Sequence, residues 1–142
     1  MAVSKHHATI VWEGGEEDRR AHRIELANQV LPCSSAPEFG GDTSKSNPEE
    51  LMAAALSSCH MLWFLALAKK DGFKVAAYED SAEATLEEDR FIAAVLRPSV
   101  QWKGEDGELP SAERVAALHR DAHSRCFISN SVNFPVEVRP DE

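Results

Sequence analysis

Apolar and polar positions change rhythm several times along this chain, and each change predicts an element. From His7 to Trp12 the residues ATIVW are β-branched and aromatic and predict a first strand. Gly14-Gly15 then marks a turn. Ala21 to Leu26 alternates, with Ile24 and Leu26 on one face, and predicts a second strand. Pro32 to Ser46 holds two prolines, a Gly-Gly pair and several serines, which reads as an irregular loop.

The rhythm then stops. Leu51 to Ala68 is almost wholly apolar. Its start is marked by Asn47, whose side chain can accept from a backbone N–H of the first helical turn. Pro48 suits the first helical position, and Glu50 completes a capping-box pattern with Asn47. Glu49 and Glu50 suit the positive end of the helix dipole, Lys69-Lys70 the negative end, and Gly72 is a natural stop. The length approaches a membrane span. Ser57, Ser58, Cys59 and His60 interrupt its centre, so the reading is a helix buried all round in a protein core, and no membrane partner is expected.

Lys74 to Glu88 and Phe91 to Lys103 read as two long strands of a hairpin, with the polar Glu87-Glu88-Asp89-Arg90 between them. Gly104 to Pro110 is a polar turn. Ser111 can cap a second helix through about Ser124, with Val115, Leu118 and Ala122 along one face. Ser131 to Val138 alternates as a last strand. Strands, long helix, strands, helix, strand make an α+β domain. No repeat or linker divides it, so residues 1–142 read as one domain.

Composition narrows the function. The formal charge of −9, from 24 acidic and 15 basic residues, argues against nucleic acid as a partner. The start MAVSKHHATI has no apolar signal core, which predicts a cytoplasmic protein. Three cysteines do not make a secreted disulfide framework. In a reducing compartment they are buried filler, metal ligands or redox catalysts. Cys59 lies in mid-helix and Cys126 just after the second helix. On composition alone Cys59 reads as inert core, because free cysteine is among the most buried residue types. A metal reading would join Cys59, His60, His123 and Cys126, but adjacent residues of a regular helix diverge. No metal and no cofactor is expected.

The stretch SNPEELMAAALSSCHMLWFLALAKKDGF resembles the signature of the OsmC/Ohr organic hydroperoxide reductase family, in which Asn-Pro-Glu opens a central helix and a Cys follows ten residues after the Glu. Glu49 and Cys59 have that spacing. Cys126-Phe127-Ile128-Ser129 matches the family's Cys-x-x-Ser, with Phe127 where many members have Pro, and Trp12-Glu13-Gly14 is also similar. The resemblance implies an OsmC-like fold, antiparallel sheets packed around a long central helix, in an intertwined homodimer. It implies a thiol peroxidase in which Cys59 attacks a small organic hydroperoxide and becomes a sulfenic acid. Cys126 then closes a disulfide, and an external dithiol reopens it. Met61, Leu62, Trp63 and Phe64 could help line the alkyl pocket, or be ordinary core.

Family members also place an Arg, held by the motif Glu, beside the thiolate. Glu49 supplies the Glu. The OsmC-type Arg position falls in SSAPEFGGDTSKS, which has none. The Ohr-type position is the first hairpin, where Arg19, Arg20 and Arg23 stand, and Arg20 in the turn is favoured. Ten residues of helix rise about 15 Å, so Glu49 cannot touch Cys59 of its own straight helix. If Glu49 serves the site, either the helix bends or Glu49 reaches a site completed by another chain, and the second fits the intertwined dimer that the resemblance implies. An alternative is an OsmC-like dimer without peroxidase activity that binds an apolar small molecule. Cys33 matches no family motif.

Overall fold

Three short strands open the chain as one antiparallel sheet: β1 (Thr9–Val11), β2 (His22–Leu26) and β3 (Gln29–Cys33), in that order. The computed structural model describes residues 2–15, 18–104 and 108–142, so residues 105–107 of the polar turn expected from Gly104 to Pro110 lie outside them. The chain forms two compact units, Met1–Leu51 and Met52–Glu142. In the first, β3 corrects the loop expected from Pro32 onward. It pairs with β2 from His22↔Cys33 to Leu26↔Gln29 across a two-residue turn. Ala27 takes the left-handed conformation that this turn needs, at φ 47°. Pro32 is tolerated because β3 is an edge strand of this sheet.

Residues 34–46 hold a 3-10 turn, Pro37–Phe39, and are closed by backbone bonds from Ser34 N–H to Ser46 O (2.8 Å) and Ser46 N–H to Pro32 O (3.2 Å). Gly41 is required there, since a Cβ would sit 1.7 Å from the Ser35 carbonyl oxygen.

Helix α1 (Pro48–Lys70) begins as its sequence predicts. Asn47 Oδ1 accepts from the Glu50 N–H at 2.9 Å, and Asn47 N–H donates to the Glu50 carboxylate at 3.1 Å. It ends on Gly72 at φ 85°, with Phe73 N–H bonded to Ala68 O and Gly72 N–H to Lys69 O. It is long and apolar enough to cross a membrane by length and composition. It is not buried all round. One row, Leu56, His60, Phe64 and Ala68, is buried, while Ala54, Ser58, Leu62 and Ala66 are exposed. Residues four apart share a helix face, so these are two opposite faces of similar polarity.

The second unit wraps the buried row. The expected hairpin forms but is broken once, giving β4 (Val75–Asp80), β5 (Glu83–Glu87), β6 (Arg90–Leu96) and β7 (Pro98–Trp102). Its register is nested: Glu87↔Arg90, Ala84↔Ala94, Asp80↔Pro98, Val75↔Trp102. At the break the Asp80 carboxylate accepts from Arg97 N–H at 2.6 Å and from the Ser57 hydroxyl at 2.5 Å. One side chain thus ties both hairpin arms to α1. Helix α2 (Ala112–Arg125) is capped by Ser111, whose hydroxyl accepts from Arg114 N–H. The last strand is shorter than expected, β8 (Val136–Val138), and it pairs with β6 in parallel, Ala94↔Val136. Ser129–Ser131 instead form a 3-10 turn, in which Ser131 Oγ donates to Phe127 O. Local side-chain bonds of this kind compete with strand pairing.

Leu56 packs with Ala94, Leu96, Val136 and Val138, and Phe64 and Ala68 with Leu118, Ala122, Val100 and Trp102. Between these clusters sit two buried histidines. His60 Nε2 and His119 Nδ1 are 3.0 Å apart, with the rings 4° from parallel, and Phe64 stacks on His119 at 4.3 Å. Burial holds both imidazoles down, from an ordinary 6.5 to about 4. For His60 the positive charge that His119 and His123 would carry adds to this, and Asp80 opposes it. Both rings are therefore neutral at pH 7, and one proton serves the bond between them.

The unfolded chain takes up these protons first as pH falls, so stability is full above about 6.5 and declines toward about 4. Each pH unit in that window costs up to about 1.4 kcal/mol per histidine. Ring NMR titration should find both imidazoles neutral at pH 5.5, with the urea midpoint falling below pH 6.5. Titration of both near 6.5 would contradict this account.

Candidate active site

Cys59 stands on α1 in the row Ala55, Cys59, Trp63, Leu67, beside the buried row, and is itself half-buried. Cys126 is fully buried and ends α2. Its backbone leaves the helix at φ −66°, ψ 114°, and the chain at once begins another turn. Asn130 N–H bonds to Cys126 O at 3.0 Å, and Ser129 N–H to Cys126 Sγ at 3.4 Å. Cys126 thus caps that turn with its sulfur, as a Ser or Asp side chain would with oxygen.

The turn brings three groups to Cys59. The Ile128 and Phe127 amides and the Cys126 thiol are all near enough to its sulfur to shift its ionisation. Both thiols are free. Burial pushes the Cys59 thiol above its ordinary 9.0; the Ile128 amide draws it down, Cys126 pushes it up again, and the Phe127 amide draws it down. Backbone amides stabilise a thiolate, and removal from water opposes it. Here removal from water wins.

One helical turn beyond Cys59, the Trp63 ring meets Phe127 edge-on at 5.5 Å, with the Arg125 guanidinium 5.6 Å from its centroid. Neither contact is foreseen by the sequence reading. The available signal is position, since Arg125 and Phe127 flank Cys126. The four residues expected to line a pocket divide among the faces of α1. Trp63 shares the row of Cys59, Leu62 is 60% exposed, Met61 is half-buried, and Phe64 is core. His60 bonds His119, and among the described residues no three His, Cys, Asp or Glu side chains gather to hold a metal.

The first unit carries the other expected residues. Arg20 Nε donates to Phe39 O at 2.9 Å, and its guanidinium lies across Gly40, which is left-handed at φ 84°. Arg23 is held by Glu13 and Glu25, and Arg19 is exposed. Glu49, in the first turn of α1, has Oε2 buried without a hydrogen-bond partner. Cys33 is buried at the end of β3, and burial and the nearby Glu50 push its thiol up.

Comparison with known proteins agrees with this architecture. An OsmC-like protein of unknown function from Vibrio cholerae superposes with a TM-score of 0.90 at 31% identity, covering 97% of this chain and 99% of that one. The organic hydroperoxide resistance protein OhrB of Bacillus subtilis shares the fold at a TM-score of 0.64 and 21% identity, over 95% of this chain and 96% of its own. The uncharacterized YmaD of Bacillus subtilis is 24% identical across 96% of this chain and 93% of its own length. The family model described as OsmC-like protein matches residues 40–141, which include both clustered cysteines, and the chain belongs to that family.

Proposed function

We propose that this chain is a thiol-dependent peroxidase that reduces organic hydroperoxides to alcohols in the cytoplasm. The observation that carries the reading is the meeting of Cys59 with Cys126 and two backbone amides. The Cys59 thiolate attacks the terminal oxygen of ROOH and the O–O bond breaks. RO⁻ takes a proton and leaves as the alcohol, and Cys59 becomes a sulfenic acid. The Cys126 thiolate displaces that oxygen as water and forms the Cys59–Cys126 disulfide. An external dithiol then reduces it by exchange and is itself oxidised to a disulfide. The Ile128 and Phe127 amides stabilise negative charge at Cys59. Arg20 is the proposed cation and Glu49 the carboxylate that holds it.

A second copy of the chain is the proposed cover for the exposed row of α1. Apolar side chains on a long helix, with Leu62 at 60% exposure, are what a partner surface buries. Homologous positions in another chain also suit Glu49, which its own helix keeps about 15 Å from Cys59. The second reading, a dimer that binds an apolar small molecule without peroxidase turnover, is favoured by one observation: the Cys59 thiol is pushed up rather than down.

Steady-state turnover of cumene hydroperoxide with a dithiol separates the two. The peroxidase turns over, Cys59→Ser does not, and Cys126→Ser consumes one equivalent of peroxide per added oxygen and accumulates Cys59 with two or three added oxygens by intact mass. Wild type without turnover leaves the binding reading standing. In the Arg20→Ala variant the pH midpoint of Cys59 alkylation should rise by about one unit or more, as for loss of a nearby opposite charge; an unchanged midpoint removes Arg20 from the site. Sedimentation at micromolar concentration should show a dimer, and a folded monomer there would refute the proposed pairing.

A further inference from the structure

Helix α1 meets the turn that follows α2 on both sides of Cys59. On one side Ile128 packs into the cluster of Leu56, which precedes Cys59 by three residues. On the other, the Trp63 ring, four residues beyond Cys59, meets Phe127 edge-on at 5.5 Å and lies 5.6 Å from the Arg125 guanidinium. Arg125 and Phe127 are the chain neighbours of Cys126. We infer that Trp63 is a positioning residue for disulfide closure: by holding both neighbours of Cys126, its ring keeps the Cys126 thiol against Cys59. The inference rests on the pairing of these thiols in the proposed function, and not on turnover of a peroxide.

Three observations lead to it. The bonds that shape the turn are local: Asn130 N–H to Cys126 O, Asn130 Nδ2 to Ser124 O, and Ser131 Oγ to Phe127 O. They fix its form without attaching it to α1. Next, Arg125 is exposed and among the described residues makes no ion pair, so no carboxylate dictates where its guanidinium lies. A guanidinium over an indole face is attracted there in its own right. Last, Phe127 is 67% exposed and so is not held by the core, whereas Trp63 is packed against the Phe64 cluster and is a fixed support for it. Trp63 and Cys59, four apart, share a helix face, so what Trp63 holds is held beside Cys59. A disulfide closes only in a narrow geometry, and a displacement on the order of 1 Å can cost about a hundredfold in rate.

The test follows both thiols with dithiobis(nitrobenzoate). The Cys59 thiolate displaces one thionitrobenzoate and keeps the other in a mixed disulfide; the Cys126 thiolate then displaces that one and closes the Cys59–Cys126 disulfide. Absorbance times the two releases, and intact mass separates the mixed disulfide from the internal one. Trp63→Ala should slow the second release about tenfold or more relative to the first, and Trp63→Phe, which keeps a ring against Phe127, should stay within about threefold of wild type. Arg125→Ala combined with Phe127→Ala removes the same contacts from exposed positions, should slow the second release likewise, and carries the test should Trp63→Ala not fold. A second release at the wild-type ratio in Trp63→Ala or in the double variant overturns the inference, as does a Trp63→Phe chain as slow as Trp63→Ala. A single release from wild type overturns the pairing and the inference with it. Both releases from a wild type that does not turn over cumene hydroperoxide would sink the peroxidase reading alone.

Discussion

Helix α1 shows its neighbours four rows of side chains, and among the described residues only the row Leu56, His60, Phe64, Ala68 is closed over. Both core clusters of the second unit are built on that row. The sheet of β5, β6 and β8 takes Leu56, while β4, β7 and α2 take Phe64 and Ala68. His60 is the polar member, and it is tolerated because His119 arrives from α2 to share its ring nitrogen. An unmatched imidazole at that depth would be costly to bury. Turning this row inward also sets Cys59, one position before His60, on the flank rather than in the core. A reactive thiol needs that placement, close enough to the core to be held and near enough to the surface to be reached.

The electrostatics of Cys59 are a contest between unlike effects. Burial acts over the whole surroundings of the sulfur and favours the thiol. The amides of Phe127 and Ile128 act at short range and favour the thiolate. Two neutral donors do not overcome the loss of water here, and a full opposite charge within reach would. The turn after α2 therefore supplies geometry and part of the stabilisation, and a cation has to supply the rest if the thiol is to react at neutral pH.

Local chemistry was legible in the sequence, and choices made by tertiary contact were not. Asn47, Glu50 and Ser111 cap their helices as their residue types predict, because a cap depends only on the residues that make it. β3 is hidden in the sequence because its turn is Ala27-Asn28, with an alanine where a left-handed conformation usually announces itself as glycine. At the break in the hairpin, Asp80 bonds Ser57, far away in sequence, and the Arg97 N–H. At the site, the spacing of Glu49 and Cys59 and the Cys-x-x-Ser run were visible, but the two amides leave no mark in a sequence. The division of Met61, Leu62, Trp63 and Phe64 among different faces was equally hidden. When nearly every position of a helix is apolar, periodicity does not say which row turns inward.

The nested register of the long hairpin also carries an order of events. Pairing that starts at Glu87↔Arg90 can zip outward through Ala84↔Ala94 to Val75↔Trp102, each step closing only a small further loop. The parallel pair of β6 with β8 is different, because Ala94 meets Val136 only after the whole intervening chain has been brought back. Contacts of such long range form late, after local ones have reduced the entropy they must overcome. The turn that carries Phe127 and Ile128 to Cys59 lies just before β8. Contact order alone therefore predicts that a newly made chain brings Cys59 and Cys126 together late in folding.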